Sequence, residues 1–407
     1  MCLTGSRKTH VCRILMLLLL GIITFGIQTS VYGHQLDQSY AYLKIYDDKI
    51  TGRFEITLND LNKALSVDQD GKPMTKENLM ERIDEVQNYV TENLKFRANN
   101  ELLTLDFSQV DTMKVKKRVF VLLDFTLLEK ATTPDIIDIN YSIMFDVDTN
   151  HTGMVLIEQF WRGNIFNNER RPALVFSGSN RTQQLDLSGY SIFSGFIGVV
   201  KLGIKHIWLG IDHILFLIAL ILPAAMIRRE RRWEPVKEFR SAFFYVVKIV
   251  TLFTVAHTLT LSLASFDVVE LPSRLVESVI AISITIAALD ILYPIFKKKI
   301  AWVVFIFGLF HGFGFASVLS HLGVLGEHMA LSLFGFNLGV EIGQVAIILV
   351  IFPLLYMIRN YSFFPKVVLK YGAVALIMMS LVWFVERAIL DSPIKKYVVA
   401  SLNQLLS

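Results

Sequence analysis

Hydrophobic and polar positions follow two different patterns along this chain of 407 residues. In residues 34–185, apolar and polar side chains alternate over short runs, as they do in strands with one buried face. In residues 190–390, long apolar runs are separated by short polar segments. Apolar runs of that length predict helices that cross a lipid bilayer. The pattern therefore predicts a β-rich domain followed by a membrane domain.

The β-rich part begins with a predicted hairpin. The run AYLKIYDDKITGRFEITL alternates on both sides of Asp47 and Asp48, which favour a turn. Four more alternating runs follow, and apolar residues at helical spacing predict one helix at residues 75–95. We therefore expect residues 34–185 to form a β-sandwich-like domain with one inserted helix.

Six apolar runs in the second part are each long enough to cross a bilayer as a helix. The loops after the first, third and fifth runs are rich in Lys and Arg, whereas the other loops carry only Arg274. The positive-inside rule places the basic loops in the cytoplasm. The β-rich domain and the tail 391–407 then lie outside, and the stretch from Tyr190 to Lys205 is expected along the outer interface. The predicted spans are 204–225, 241–265, 275–296, 300–322, 329–358 and 368–387.

The first 33 residues have the pattern of a secretory signal peptide. Basic residues precede an apolar stretch from Ile14 to Ile27, which is too short to span a bilayer. The small residues Val31 and Gly33 suit a cleavage site, which would leave His34 at the new N-terminus. An uncleaved anchor, and copper chelation by His34, stay open as alternatives. Signal and loop charges both predict a multi-pass protein of the plasma or inner membrane with an exported domain.

Composition narrows the available chemistry. The chain is 53% hydrophobic with a formal net charge of +4, and its mean hydropathy is +0.49. The positive charge belongs to the basic loops and does not indicate a nucleic-acid partner. Both cysteines, Cys2 and Cys12, lie in the predicted leader, so the mature chain has no disulfide and no thiolate ligand. A metal site here would use imidazoles, carboxylates or other oxygens.

Histidines and carboxylates, which are costly inside a bilayer, recur in the first five apolar runs. In the first run, His206, Gly210 and His213 are spaced to share one face of a continuous helix, and Asp212 lies beside them. The predicted topology places all these groups between the outer boundary and the midplane. We therefore expect them to converge within about 10 Å on one shared site. The set is His206, Asp212, His213, His257, Glu277, His311, Asn337, Glu341 and Gln344.

Two further features lie near the predicted outer side of the bundle. Gly335, Gly339 and Gly343 recur every fourth residue, and we interpret them as a close helix contact. His328 lies at the predicted outer rim, where we expect it to be solvated.

Five motifs, HIWLGIDH, FTVAHTLTL, VESVIAIS, LFHGFGFAS and FNLGVEIGQ, follow one another over about residues 190–350. In type and order they resemble the HupE/UreJ family of membrane proteins, in its long branch with an exported N-terminal domain. Short members of that family are regarded as nickel or cobalt permeases, so the resemblance implies uptake of a divalent metal. The sequence departs from those permeases at Ile207, where they carry proline. It also departs near Gly314, where they carry a second histidine.

Three functions remain open. The first is a permease for a divalent transition metal of the nickel/cobalt type, with its site open to the outer side. The second is an intramembrane zinc-dependent hydrolase, with Glu277 or Glu341 as general base. The third is a membrane sensor or assembly factor, whose exported domain binds a partner and whose polar cluster is structural. Expected ligands for Ni, Co or Zn are His206, Asp212, His213, His257 and His311, supported by Glu277, Asn337, Glu341 and Gln344.

Overall fold

A β-rich part that ends at Asp186 is followed by a helical part, which confirms the predicted order. The predicted signal segment 1–33 and the tail 391–407 lie outside the described residues. The computed structural model describes residues 38–65, 73–115, 118–129, 132–229, 232–296, 299–321 and 328–390.

Ten strands form two sheets in the described β-rich part. The strands are β1 (Gln38–Ile45), β2 (Lys49–Thr57), β3 (Leu94–Ala98), β4 (Glu101–Leu103), β5 (Asp106–Val115), β6 (Arg118–Glu129), β7 (Ile136–Tyr141), β8 (Thr152–Phe160), β9 (Leu174–Phe176) and β10 (Thr182–Asp186). One sheet has the order β5-β6-β2-β1-β8-β9, and the other has the order β10-β7-β3-β4. β1 pairs with β8 in parallel, whereas the other neighbours are antiparallel.

The two sheets share one apolar core. The ring of Phe96 in the smaller sheet lies 6.2 Å from that of Phe125 in the larger sheet. Tyr141 and Phe176, again one from each sheet, stack at 5.3 Å. All four side chains are buried. Burial of one side of each strand accounts for the alternating pattern in the sequence.

Two helices, and not the single one expected, interrupt the strands. α1 (Leu58–Ala64) follows β2 directly, and its first turn is capped by Thr57, which accepts a hydrogen bond from the backbone N–H of Asp60. The helix predicted at 75–95 is shorter, because α2 (Ile83–Asn93) follows a 3-10 turn and leads at once into β3. The prediction of one inserted helix is wrong because α1, with 7 residues, is too short to show helical periodicity.

The described helical part contains seven α-helices, one hairpin and two π-helical segments, Phe364–Leu369 and Glu386–Leu390. The α-helices and the hairpin are α3 (Ile192–Leu209), α4 (Ile211–Ile221), the hairpin of β11 (Met226–Arg229) and β12 (Arg232–Pro235), α5 (Phe239–Ser265), α6 (Ser273–Leu292), α7 (Ile300–His321), α8 (Met329–Ile358) and α9 (Lys370–Val385). Five described segments are long and apolar enough to cross a membrane, namely α3, α5, α6, α8 and Phe364–Ala388, which contains α9. α4 and residues 300–315 of α7 are shorter apolar helices. The count of six spans stays a prediction.

The first predicted span is broken. A continuous helix is expected over 204–225, but α3 ends at Leu209 and α4 begins at Ile211. Gly210 between them has φ −75° and ψ 96°, and this ψ lies outside the helical range. The spacing predicts that His206 and His213 share one face of a continuous helix. That prediction is wrong, because the helix is broken between them.

The stretch predicted along the outer interface belongs mostly to α3, which packs lengthwise against α8. Gly339 of α8 lies against the backbone of Val200, and Gly203 of α3 lies against the backbone of Phe336. A β-carbon on either glycine would collide with those backbone atoms. The close helix contact expected for the glycine stripe of α8 is therefore present, and α3 is its partner.

We name the two ends of the helical bundle by what they contact: the domain end contacts the β-rich part, and the hairpin end contacts the β11–β12 hairpin. At the domain end, the Trp161 indole N–H donates a hydrogen bond to Ser332 Oγ at 2.8 Å, near the start of α8. At the hairpin end, the guanidinium of Arg228 in β11 lies 3.4 Å from the carbonyl oxygen of Ile291, near the end of α6. α3, α4 and α8 run from the domain end to the hairpin end, and α5 and α7 run the opposite way.

His328 is packed at the domain end, which corrects the expectation that it is solvated. Its ring lies 4.3 Å from the Trp161 ring, and its Nε2 lies 3.1 Å from Asp47 Oδ2. Its side chain is only 19% exposed. Asp47 comes from the first hairpin of the β-rich part, so this contact joins residues far apart in sequence. The β-rich part thus rests directly on the start of α8.

Candidate metal centre

Four of the predicted histidines meet inside the helical bundle. The ring centroid of His213 lies 4.5 Å from that of His206, 6.3 Å from that of His257 and 5.5 Å from that of His311. His213, His257 and His311 are at most 6% exposed, and His206 is partly buried. The four rings come from four different helices, α3, α4, α5 and α7. The fold therefore builds one imidazole cluster from distant parts of the chain.

The break at Gly210 allows His206 and His213 to face each other. A β-carbon at this position would lie 2.8 Å from the His206 carbonyl oxygen and 2.8 Å from His213 Nδ1. Asp212 stands in the first turn of α4, where free backbone N–H groups stabilise a carboxylate. Discontinuous helices of this kind commonly form binding sites in membrane transporters.

Three of the histidines have their Nδ1 atoms held by oxygen acceptors. Each Nδ1–H donates one hydrogen bond: His213 to Asp212 Oδ1 at 3.1 Å, His257 to Asn337 Oδ1 at 3.3 Å, and His311 to the Phe307 carbonyl oxygen at 2.8 Å. In a neutral ring protonated on Nδ1, the Nε2 atom carries a free lone pair. Metal-binding histidines are commonly oriented by such hydrogen bonds on their other nitrogen.

The Nε2 atoms of all four histidines are buried and lack a hydrogen-bond partner within the described ranges. An unpaired polar atom inside a protein costs free energy, and a bound cation would satisfy these atoms. Ligand atoms of His206, His213 and His257 lie within 4.8 Å of one another. Neutral imidazoles suit nickel, cobalt, copper and zinc. The donor set therefore fits a divalent transition metal.

Aromatic rings flank the histidine cluster on two sides. Towards the domain end, Phe315 lies 3.9 Å from the His206 ring and stacks on Phe336 at 4.9 Å. Towards the hairpin end, the rings of Phe216 and Phe253 pack 5.1 Å apart. Sequence reasoning missed these four residues, because a phenylalanine in an apolar run looks like any other core residue.

A small cavity lies next to His213, on the side towards the hairpin end. Its volume is about 10 Å³, which is roughly the space of one water molecule. His213 and Gln344 are its polar lining, and apolar side chains of α4 and α5 form the rest. This cavity therefore extends the polar space next to His213 by about one water molecule.

Residues 182–387, about half of the chain, match the family described as HupE / UreJ protein. The chain belongs to the HupE/UreJ family. HupE/UreJ proteins are a family of nickel/cobalt transporter type, and the imidazole cluster of this chain lies inside the matched region. No curated protein and no solved structure matches the chain significantly.

Asn337 and Gln344 of this HupE/UreJ protein lie beside the cluster, whereas Glu341 has a partner elsewhere. Thr254 Oγ1 donates to Gln344 Oε1 at 2.8 Å, next to the small cavity. Thr251 Oγ1 donates to Glu341 Oε1 at 2.5 Å. Glu341 is not part of the metal-compatible group found among the described residues.

Glu277 also has other partners. Its carboxylate accepts a hydrogen bond from Ser273 Oγ at 2.8 Å and lies 3.1 Å from Arg387 Nη1. The side chain is 37% exposed, near the start of α6. The metal-compatible group found among the described residues includes neither Glu277 nor Glu341, and their convergence on the centre stays a prediction.

The two departures of this HupE/UreJ protein from the permease motifs face neighbouring helices. Ile207 is fully buried, and α3 continues through it to Leu209. Gly314 faces Ile280 and Val276 of α6. Neither position contributes a ligand, so the donors come from the other motif residues.

Proposed function

We propose that this protein is a membrane permease for a divalent transition metal of the nickel/cobalt type. The observation that carries the proposal is the convergence of four buried imidazole Nε2 atoms without hydrogen-bond partners among the described residues. A bound cation would remove the free-energy cost of burying these atoms without partners. Asp212 adds a negative charge next to His213, which favours cation binding.

The proposal includes an orientation in the plasma or inner membrane. Six spans cross the membrane, with α3 and α4 forming one broken span and α7 forming another. The five long apolar helices and the basic residues of the β11–β12 hairpin support this arrangement. The domain end then faces outwards, and the cation reaches the histidines from that side.

A zinc-dependent hydrolase is the second function for which the centre has suitable groups. The group formed by His206, His213 and His257 resembles a three-histidine zinc site with one position open to water. A hydrolase also needs a carboxylate near that water as general base. The ion pair of Glu277 with Arg387 does not favour that role for Glu277. Glu341 accepts a hydrogen bond from Thr251 on Oε1, and its buried Oε2 has no hydrogen-bond partner among the described residues. Membership of a transporter-type family also favours the permease.

The experiment that tests the proposal combines metal analysis of the purified protein with cellular uptake of Ni²⁺ and Co²⁺. We expect the wild-type chain to bind and accumulate metal. His213→Ala should weaken binding by at least about tenfold, as expected when a ligand is lost. His328→Ala removes an imidazole outside the centre and should leave binding unchanged. Absence of binding in the wild type would contradict both metal functions, and binding without accumulation would contradict the permease.

A further inference from the structure

His311 stands apart from the other three histidines of the centre. The ligand atoms of His206, His213 and His257 form one group within 4.8 Å, to which His311 does not belong. His311 is nevertheless only 2% exposed, and its buried Nε2 has no hydrogen-bond partner among the described residues. Its Nδ1 is already held by the Phe307 carbonyl oxygen. A buried nitrogen of this kind is available to a ligand that the other three histidines do not share.

Helix α7 orders the rings along the axis of the bundle. Three residues of α7 at four-residue spacing contact successive residues of α3 and α4: Phe315 contacts His206 at 3.9 Å, His311 contacts His213 at 5.5 Å, and Phe307 contacts Phe216 at 6.1 Å. Four residues of an α-helix rise about 6 Å. Because α7 runs from the hairpin end to the domain end, His311 lies about one turn nearer to the hairpin end than the contact of Phe315 with His206.

His213 lies between two levels of the bundle, the level of His206 and the level of His311, which is one turn nearer to the hairpin end. Its ring lies 4.5 Å from His206 on one side and 5.5 Å from His311 on the other. Its Nε2 is buried without a partner in the described part of the chain. The same ring lines the small cavity on the hairpin side, together with Gln344. His213 is thus placed to contact a cation at either level.

Two aromatic rings lie beside His311 on the side towards the hairpin end. Phe216 and Phe253 lie 5.3 Å and 4.9 Å from the His311 ring, and they pack against each other. A cation beside His311 therefore faces an apolar barrier towards the hairpin end. The pair would have to separate before the cation could move further.

We propose that His213 and His311 form a second cation position, one helical turn nearer to the hairpin end than the position formed by His206, His213 and His257. A divalent cation moves between the two by leaving His206 and His257 and binding His311, while His213 stays bound. This step replaces two neutral imidazoles with one and transfers no electron or proton. Its place in transport rests on the proposed permease function. His311 is accordingly required for passage of the cation and not for its capture.

Co²⁺ is the probe that separates capture from passage, because its absorption spectrum reports its ligands. Full-length protein is purified for titration with Co²⁺ and reconstituted into proteoliposomes that contain a Co²⁺-sensitive dye. His206→Ala should weaken Co²⁺ binding by at least about tenfold. His311→Ala should keep the affinity and spectrum of the wild type, while Co²⁺ influx falls at least about tenfold.

His311→Gln, which retains a polar side chain at this position, serves as a second variant in case the alanine variant packs poorly. It should also keep Co²⁺ affinity and lose influx. Equal weakening of Co²⁺ binding by His311→Ala and His206→Ala would mean that all four histidines share one position. This result would overturn the proposal of a second cation position. Unchanged influx in folded His311→Ala would overturn it as well. A wild-type protein that binds Co²⁺ without influx would instead contradict the permease itself, and the wild-type measurement alone would show this.

Discussion

The hydrogen bonds of the Nδ1 atoms of His213 and His257 decide which ring nitrogen is free to bind a cation. Asp212 and Asn337 each accept a hydrogen bond from one Nδ1–H, and this leaves Nε2 of His213 and His257 free for the cation. The two acceptors differ in charge. Asp212 compensates the charge of a bound cation, whereas Asn337 only orients its ring.

Substitution of Asn337 tests this orienting role. Asn337→Leu removes the acceptor of His257 Nδ1, so the ring is free to change tautomer, and Co²⁺ affinity should fall by about tenfold or more. Asn337→Asp restores an acceptor oxygen and should recover most of the affinity. Titration of both purified variants with Co²⁺ gives the comparison. Equal affinity of Asn337→Leu and wild type would show that the hydrogen bond has no orienting role.

The histidines could be predicted as a cluster because polar groups inside a bilayer are costly and recur at similar predicted depths. The partners of Glu277 and Glu341 could not be predicted in this way. Sequence indicates how deep a side chain lies, but not which way it points around the helix axis or which neighbour it meets. Thr251 binds Glu341, and Arg387 pairs with Glu277 from beyond α9.

Among the helices, the break between α3 and α4 matters most for the site. Residues 204–225 are predominantly apolar despite His206, Asp212 and His213, so their hydropathy predicts one continuous span. A single glycine is tolerated inside many helices, so Gly210 alone does not predict a break. The bend is needed because a continuous helix would not bring His206 and His213 into this face-to-edge contact, with an interplanar angle of 68°.

Gly210→Ala should disrupt the centre. The new β-carbon would lie 2.8 Å from His213 Nδ1, so the ring or the break must shift. We expect weaker Co²⁺ binding at unchanged overall folding, measured by titration and size-exclusion chromatography. Gly178→Ala is the control, because the nearest atom to its β-carbon is 4.0 Å away. Wild-type affinity in Gly210→Ala would contradict the packing argument.

The glycines of α8 provide a matched pair for the contact with α3. Gly339→Ala places a β-carbon against the backbone of Val200, which cannot move aside as a side chain can, and should lower the free energy of unfolding by about 1–3 kcal/mol. Gly343→Ala places its β-carbon 3.3 Å from the Ile207 side chain and should cost less. Thermal unfolding in detergent compares the two. A larger loss for Gly343→Ala would contradict this helix contact.

On the scale of the whole molecule, the β-rich part and the bundle meet through α8. Trp161 and Asp47 contact Ser332 and His328 at the start of this helix, which also carries Asn337. The β-rich part is therefore connected to the metal centre by one continuous helix. The sequence predicts the two parts separately, but it does not predict their contact, because that depends on residues far apart in the chain.

Single cysteines test the proposed orientation, since the two native cysteines lie in the predicted leader. Val268, in the loop before α6, is 65% exposed, and Ile227, in the basic hairpin, is 46% exposed. Each is replaced by cysteine in a separate variant. A membrane-impermeant maleimide should label position 268 in intact cells and position 227 only after permeabilisation. The reverse labelling pattern would contradict the outward orientation of the domain end.

Passage of metal through the histidine centre is measured most directly as Ni²⁺ or Co²⁺ influx into proteoliposomes that contain only this protein. The wild type should accumulate the cation inside the vesicles down its concentration gradient. His213→Ala, which removes the ring shared by both cation positions, should reduce influx to the level of protein-free vesicles. The account would be contradicted by a His213→Ala protein that folds and transports as the wild type does, or by a wild type that gives no influx.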